Sequence, residues 1–68
     1  MTDLRTMVLK RLEQGPLDVF ALREDLNVDF DRLAKELSIL LEADYISKTN
    51  SLFCLTDRGR QYLKDEPR

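Results

Sequence analysis

The stretch from residue 30 to residue 41 has the most regular apolar pattern in the chain. Apolar side chains recur there at intervals of three, four, three and one residues, at Phe30, Leu33, Leu37, Leu40 and Leu41. Because an α-helix completes a turn in about 3.6 residues, these side chains share one face of a helix. The pattern predicts an amphipathic helix over about residues 30–43, whose apolar face has to be covered by other parts of the chain.

Two shorter helices are predicted before this segment. The first, over about residues 3–14, has an apolar stripe formed by Leu4, Met7, Val8 and Leu12. The second, over about residues 18–26, has apolar side chains at Phe20, Ala21, Leu22 and Leu26. Gly15 and Pro16 separate the two helices, because glycine accepts a left-handed conformation and proline cannot continue a helix.

Residues 25–36 carry a pattern that allows two interpretations. Their acidic and amide side chains stand at positions 1, 3, 5, 7 and 12, nearly the spacing of a calcium-binding loop. Position 6 of such a loop needs a positive φ, which is costly for Phe30. We therefore interpret the stretch as a turn between two helices, in which Asn27 is left-handed and Asp29 caps the third helix. No metal site is predicted.

The chain changes character after residue 44. Residues 45–49 and 52–55 are short segments rich in β-branched, aromatic and other apolar side chains. Such segments predict two strands of a hairpin, with Asn50 and Ser51 forming the turn between them.

A final helix is predicted over about residues 57–65, with Thr56 as its cap. Its Tyr62 and Leu63 are expected to pack on the core. The predicted order is helix, helix, helix, strand, strand, helix. This order describes a mainly α fold with a small β-hairpin (α+β), in a single domain over residues 1–68.

The composition argues against catalysis and against a bound cofactor. The chain has no histidine, the commonest general base and transition-metal ligand. Its two glycines lie 44 positions apart and form no phosphate-binding loop. Cys54 is the only cysteine and is expected to be a small buried hydrophobe. Since no apolar run exceeds four residues, we predict no membrane segment and a cytoplasmic location for a protein that is not an enzyme.

Two segments of the chain resemble winged helix-turn-helix domains. "LSILLEADYISK" is similar to the end of a recognition helix that leads into the first wing strand. "LFCLTDRGRQYL" is similar to the second wing strand and the closing helix. The resemblance covers about residues 3–64 and implies a winged helix-turn-helix fold. Small transcription regulators of the MarR, PadR and ArsR kind contain this domain, and the residues do not distinguish among them.

The chain departs from the usual pattern of these domains at two places. Asp44 stands where a glycine usually precedes the first wing strand, although aspartate can also take a left-handed turn. The wing is reduced to about "KTNS", with Lys48 as its only positive charge. The resemblance implies that the third helix enters the major groove of DNA and that the wing contacts the adjacent backbone.

The distribution of charge is unfavourable for that use. Residues 18–44 contain three bases and eight acids, a net charge of −5, whereas residues 1–17 carry +1 and residues 45–68 carry +2. A protein gains affinity for DNA by neutralising phosphates with Lys and Arg. The acidic residues therefore lie on the segment that would have to approach the duplex.

Two hypotheses about function remain open. The first is a small DNA-binding transcription regulator that acts as a homodimer on double-stranded DNA. Its contacting residues would be Arg32, Lys35, Ser38, Lys48, Arg58 and Arg60. The second is a protein-binding module, an adaptor or inhibitor that presents its acidic face to a basic protein. Its interacting residues would be Asp31, Lys35, Ile39 and Glu42.

The same residues also have simple structural explanations. Arg32 and Glu36 stand four positions apart, so they can form an ion pair on the surface of one helix. Ile39 lies on the flank of the third helix and can belong either to the edge of the core or to a contact patch.

Overall fold

The computed structural model describes residues 3–65, and its elements follow the predicted order. The elements are α1 (Leu4–Glu13), α2 (Val19–Leu26), α3 (Phe30–Glu42), β1 (Ile46–Thr49), β2 (Leu52–Leu55) and α4 (Asp57–Asp65). The predicted mainly α fold with one antiparallel hairpin is confirmed. The predicted domain span of residues 1–68 extends beyond the described residues at both ends. No helix within residues 3–65 is both long enough and apolar enough to cross a bilayer.

Helix α1 lies at the centre of the fold and packs against α2, α3, α4 and β2. Its buried residues are Thr6, Val8, Leu9 and Leu12. The predicted stripe was right for Val8 and Leu12, and its Leu4 packs at the edge of the core. It was wrong in including Met7 and leaving out Leu9. A helix that contacts several other elements buries a wide face, so a narrow stripe of apolar positions does not describe it.

Helix α3 buries one face against the rest of the core, as the sequence predicts. Leu33, Leu37 and Leu40 are buried, and they form the centre of the apolar face. Phe30 and Leu41 lie at its rim and remain partly exposed, because they are rotated away from the line of the three buried leucines.

Side chains cap three of the four helices within residues 3–65. The Asp3 carboxylate accepts a hydrogen bond from the Thr6 N–H, and the Asp18 carboxylate accepts one from the Ala21 N–H at 2.8 Å. The predicted Thr56 cap is confirmed, since its hydroxyl accepts a hydrogen bond from the Gly59 N–H at 3.1 Å.

Asp29 stands at the N-cap position of α3, but its side chain makes no capping hydrogen bond. The predicted cap position is therefore confirmed, but Asp29 does not cap the helix through its side chain. The backbone of Asp29 (φ −57°, ψ 138°) is less extended than the backbones of Asp3 (φ −81°, ψ 168°) and Asp18 (φ −87°, ψ 174°), whose carboxylates do reach the first helical turn.

Non-glycine residues with positive φ form the sharp turns. Asn27 is left-handed (φ 53°) at the end of α2, as predicted, and its N–H donates to the Arg23 carbonyl. Asp44 (φ 66°) turns the chain between α3 and β1. Asn50 (φ 49°) and Ser51 (φ 72°) form the two-residue turn of the hairpin, where positive φ at both positions matches the twist of the strands.

A third segment pairs with the hairpin. The Leu17 N–H donates to the Phe53 carbonyl at 3.1 Å, and the Phe53 N–H donates to the Leu17 carbonyl at 2.7 Å. This bridge attaches the connection between α1 and α2 to β2. The sequence did not predict it, because one paired residue between Pro16 and Asp18 leaves no strand-length pattern.

Helix α4 returns to the core through Tyr62 and Leu63, which are half-buried as predicted. The rings of Tyr45 and Tyr62 pack with their centroids 5.1 Å apart. Gly59 is buried where α4 crosses the start of the hairpin, and a Cβ atom there would overlap the Tyr45 carbonyl oxygen and lie 2.6 Å from Leu55 Cδ1. Only glycine allows this approach.

The aspartates at the starts of α2 and α3 provide a matched test of capping. We expect Asp18→Ala to lower the free energy of unfolding by about 1 kcal/mol, because a helix N–H loses its acceptor. Asp29→Ala should cost less than half as much, because no hydrogen bond is lost. Urea unfolding followed by circular dichroism measures both values, and equal losses would contradict the assignment of the caps.

The crossing at Gly59 provides a second test. Gly59→Ala should lower the free energy of unfolding by about 1–3 kcal/mol through overpacking, although alanine is the better helix former. Gln61→Ala, an exposed change on the same helix, serves as the control and should stay within about 0.5 kcal/mol of wild type. A stabilised Gly59→Ala variant would contradict the close approach of α4 to Tyr45.

Candidate nucleic-acid interface

The outward face of α3 carries charges of both signs. Its exposed residues opposite the buried leucines are Asp31, Arg32, Lys35, Ser38, Ile39 and Glu42. Asp31, Lys35, Ser38 and Glu42 lie along the middle of this face, while Arg32 and Ile39 lie on the flank nearer α1. The residues named by the two functional hypotheses for this helix therefore share one exposed surface.

An ion pair between α1 and α3 replaces the expected pair within α3. The Arg5 Nε atom donates to Glu36 Oε2 at 2.9 Å, and this hydrogen bond raises the pKa of Arg5 above its ordinary value. Glu36 therefore pairs with Arg5 rather than with Arg32, four residues before it. Within the described part of the chain, neither Arg32 nor Lys35 takes part in an ion pair.

A second arginine of α1 binds an acid of α2. The Arg11 Nε atom donates to Asp25 Oδ2 at 2.8 Å. Together, Arg5 and Arg11 offset two of the eight acids in residues 18–44. The net charge of that segment, counted with these two arginines, is −3 rather than −5.

A cleft of about 430 Å³ lies between the start of α1 and the outer flank of α3. Its lining residues are Asp3, Leu4, Arg5, Arg32, Lys35, Glu36 and Ile39. Asp3 is engaged as the cap of α1, and the hydrogen bonds that it accepts from Thr6 lower the pKa of its carboxyl. Neighbours bind both acids of the cleft, and Arg32 and Lys35 are its two lining cations that form no ion pair among residues 3–65.

The other predicted contact residues lie on separate elements. Lys48 is exposed on β1, and its Nζ atom lies 5.7 Å from the centroid of the Phe53 ring. Arg58 and Arg60 are exposed near the start of α4. Arg58 lines a different cleft, beside Tyr45 and Tyr62. Arg32 and Lys35 are thus two predicted DNA contacts that line the same cleft, whereas Arg58 lines another.

Several apolar side chains remain on the surface. Ile39 is 48% exposed on the outer face of α3, so it does not belong to the buried core. Phe20 is 68% exposed although it belongs to the predicted apolar set of α2. Phe20 lines a cleft with Val28 and polar neighbours. Leu22 is the one residue of α2 that is fully buried.

The acids of the turn do not converge on a common centre. In the part of the chain that the structure describes, no group of three or more acidic or cysteine side chains could hold a metal ion. Helix α3 begins at Phe30, so the acids on either side of that position belong to a turn and a helix rather than to one coordinating loop.

The fold and the exposed third helix agree with a comparison of the sequence with known families. A family profile described as winged helix-turn-helix matches residues 3–67. The chain belongs to this family, which confirms the resemblance drawn from the sequence. A search of curated proteins and a search of solved structures gave no significant match.

Proposed function

We propose that this protein is a small transcription regulator that binds double-stranded DNA with α3 in the major groove. The observation that carries the proposal is the state of Arg32 and Lys35. Both are exposed on the outer side of α3, and neither is held in an ion pair within residues 3–65. They are therefore available for contacts to a ligand.

The chemistry of these side chains suits the edges and phosphates of a duplex. The major groove admits one α-helix, and Arg or Lys can donate hydrogen bonds to guanine O6 and N7 there. Ser38, about one turn after Lys35, can bond to a base edge or a phosphate. Lys48, Arg58 and Arg60 would add contacts to the backbone.

The acidic residues limit the strength of such binding. Asp31 and Glu42 flank Lys35 on the outer face of α3 and would repel phosphates. A single copy with few phosphate contacts would bind weakly, so we propose that two copies act together on two half-sites.

The proposal predicts a loss of DNA binding when both free cations of α3 are removed. Arg32→Ala combined with Lys35→Ala should weaken binding by at least about tenfold, since each base or phosphate contact is worth about 1 kcal/mol or more. For each of the two cations that contacts a phosphate, the slope of log K against log salt should also fall by about one, because about 0.9 counterion is released per neutralised phosphate. Fluorescence anisotropy at several salt concentrations measures both quantities.

Lys10→Ala combined with Lys64→Ala is the matched control. It removes the same number of positive charges from exposed positions on α1 and α4. An equal effect of both double variants would show that α3 is not the reading head. If the wild-type protein binds no DNA at low salt, where electrostatic attraction is strongest, the proposal is wrong.

The exposure of Ile39 favours a second candidate function. An apolar side chain that is 48% exposed and lies between Lys35 and Glu42 suits a protein surface better than a phosphate backbone. On this view the outer face of α3 binds a basic protein through Asp31, Ile39 and Glu42. Affinity capture from the native host separates the two candidates, because recovery of nucleic acid alone would exclude the second.

A further inference from the structure

We propose that Arg5 is a positioning residue for DNA binding, which holds Glu36 against α1 and thereby keeps Arg32 free. Arg5 itself lies on α1, outside the helix-turn-helix unit. This inference rests on the proposed function, and it assigns a role to a residue that the sequence did not single out.

The competition for Glu36 follows from the geometry of α3. Arg32 and Glu36 stand four residues apart, so their side chains are neighbours on the same helix surface. Both line the cleft into which Arg5 also projects. A carboxylate next to an exposed guanidinium would ordinarily pair with it, and a paired guanidinium gives up donors that DNA would use.

Glu36 pairs with Arg5 rather than with Arg32 because the contact with Arg5 is better shielded from water than a contact with the exposed Arg32 would be. The Glu36 side chain is only 16% exposed, and the Arg5 side chain is 38% exposed, at a distance of 2.9 Å between Nε and Oε2. Pairs that are partly withdrawn from water are screened less by salt than exposed pairs are. Arg32 is exposed and remains outside the pair.

Loss of Arg5 should therefore change the charge presented to DNA in two ways. Glu36 would be left without its partner in a cleft that also contains Arg32 and Lys35. It would then pair with one of these cations or expose an uncompensated negative charge beside them. Either result reduces the number of donors available to the duplex.

Helix α1 supplies its own control for this inference. Arg11 forms a similar pair with Asp25 at 2.8 Å, with both side chains exposed to similar extents. Neither Arg11 nor Asp25 lines the cleft of Arg32. Removing Arg11 takes away the same charge from the same helix without releasing an acid next to the proposed DNA contacts.

The test is a double-mutant cycle with DNA affinity as the readout. Arg5→Met keeps the aliphatic stem and should weaken binding by at least about fivefold more than Arg11→Met, as expected for the loss of one contact. Arg5→Lys, which keeps the positive charge, should largely retain the wild-type affinity for DNA. Adding Glu36→Gln to Arg5→Met should restore it, because an amide carries no charge to capture Arg32.

A structural role for Arg5 alone would give a different outcome. The loss caused by Arg5→Met would then be the same with Glu36 and with Gln at position 36, and that result would overturn the inference. An equal loss in Arg11→Met would also overturn it. Thermal unfolding of each variant establishes that the compared proteins are folded, and Arg5→Gln replaces Arg5→Met if the latter does not fold.

A measurement without DNA separates this inference from the proposed function. The side-chain Nε–H signal of Arg32 in ¹⁵N NMR spectra should shift in Arg5→Met and return when Glu36→Gln is added. If wild-type protein binds no DNA while this shift is present, the proposed function fails and the control of Glu36 by Arg5 stands. An unchanged Arg32 signal in Arg5→Met would refute that control directly.

Discussion

The burial of α1 is the constraint on which the rest of the structure depends. Val8 and Leu9 are fully buried, and the helix contacts the other three helices and the second wing strand. A domain of this size buries only about 60% of the surface that its unfolded chain exposes. A single central helix that several other elements contact suits such a small core. The same position lets Arg5 and Arg11 reach acids on α3 and α2.

The elements that obey local rules were predictable from the sequence, and those that depend on distant partners were not. Helix α3 was predictable because one side of it faces the core, which gives Leu33, Leu37 and Leu40 a helical spacing. Helix α1 is covered from several sides, and its apolar spacing led to the wrong prediction that Met7 rather than Leu9 is buried. The fold order and the turn at Asn27 follow from spacing and residue type. The absence of a capping hydrogen bond from the Asp29 side chain depends instead on the backbone angles of Asp29, which the local sequence does not encode.

The candidate site shows the same division between local and distant information. The exposed face of α3 follows from helical periodicity, so its residues could be named from the sequence. The partner of Glu36 could not, because the spacing rule favours Arg32 and the observed partner is 31 residues away in the chain. Formal charge summed along the sequence exaggerated the acidity of this segment for the same reason, since α1 brings two arginines to it in space.

The bridge between Leu17 and Phe53 attaches the wing to the connection between α1 and α2. Two backbone hydrogen bonds join the wing to Leu17, the residue before the cap of α2, so a displacement of the hairpin would have to break these bonds or carry the start of α2 with it. The two-residue turn at Asn50 and Ser51 leaves it no flexible tip. In the DNA complex that we propose, a duplex in contact with both α3 and this attached wing would adapt its groove width and curvature to the protein, so that stiffness of the DNA sequence would itself contribute to selection.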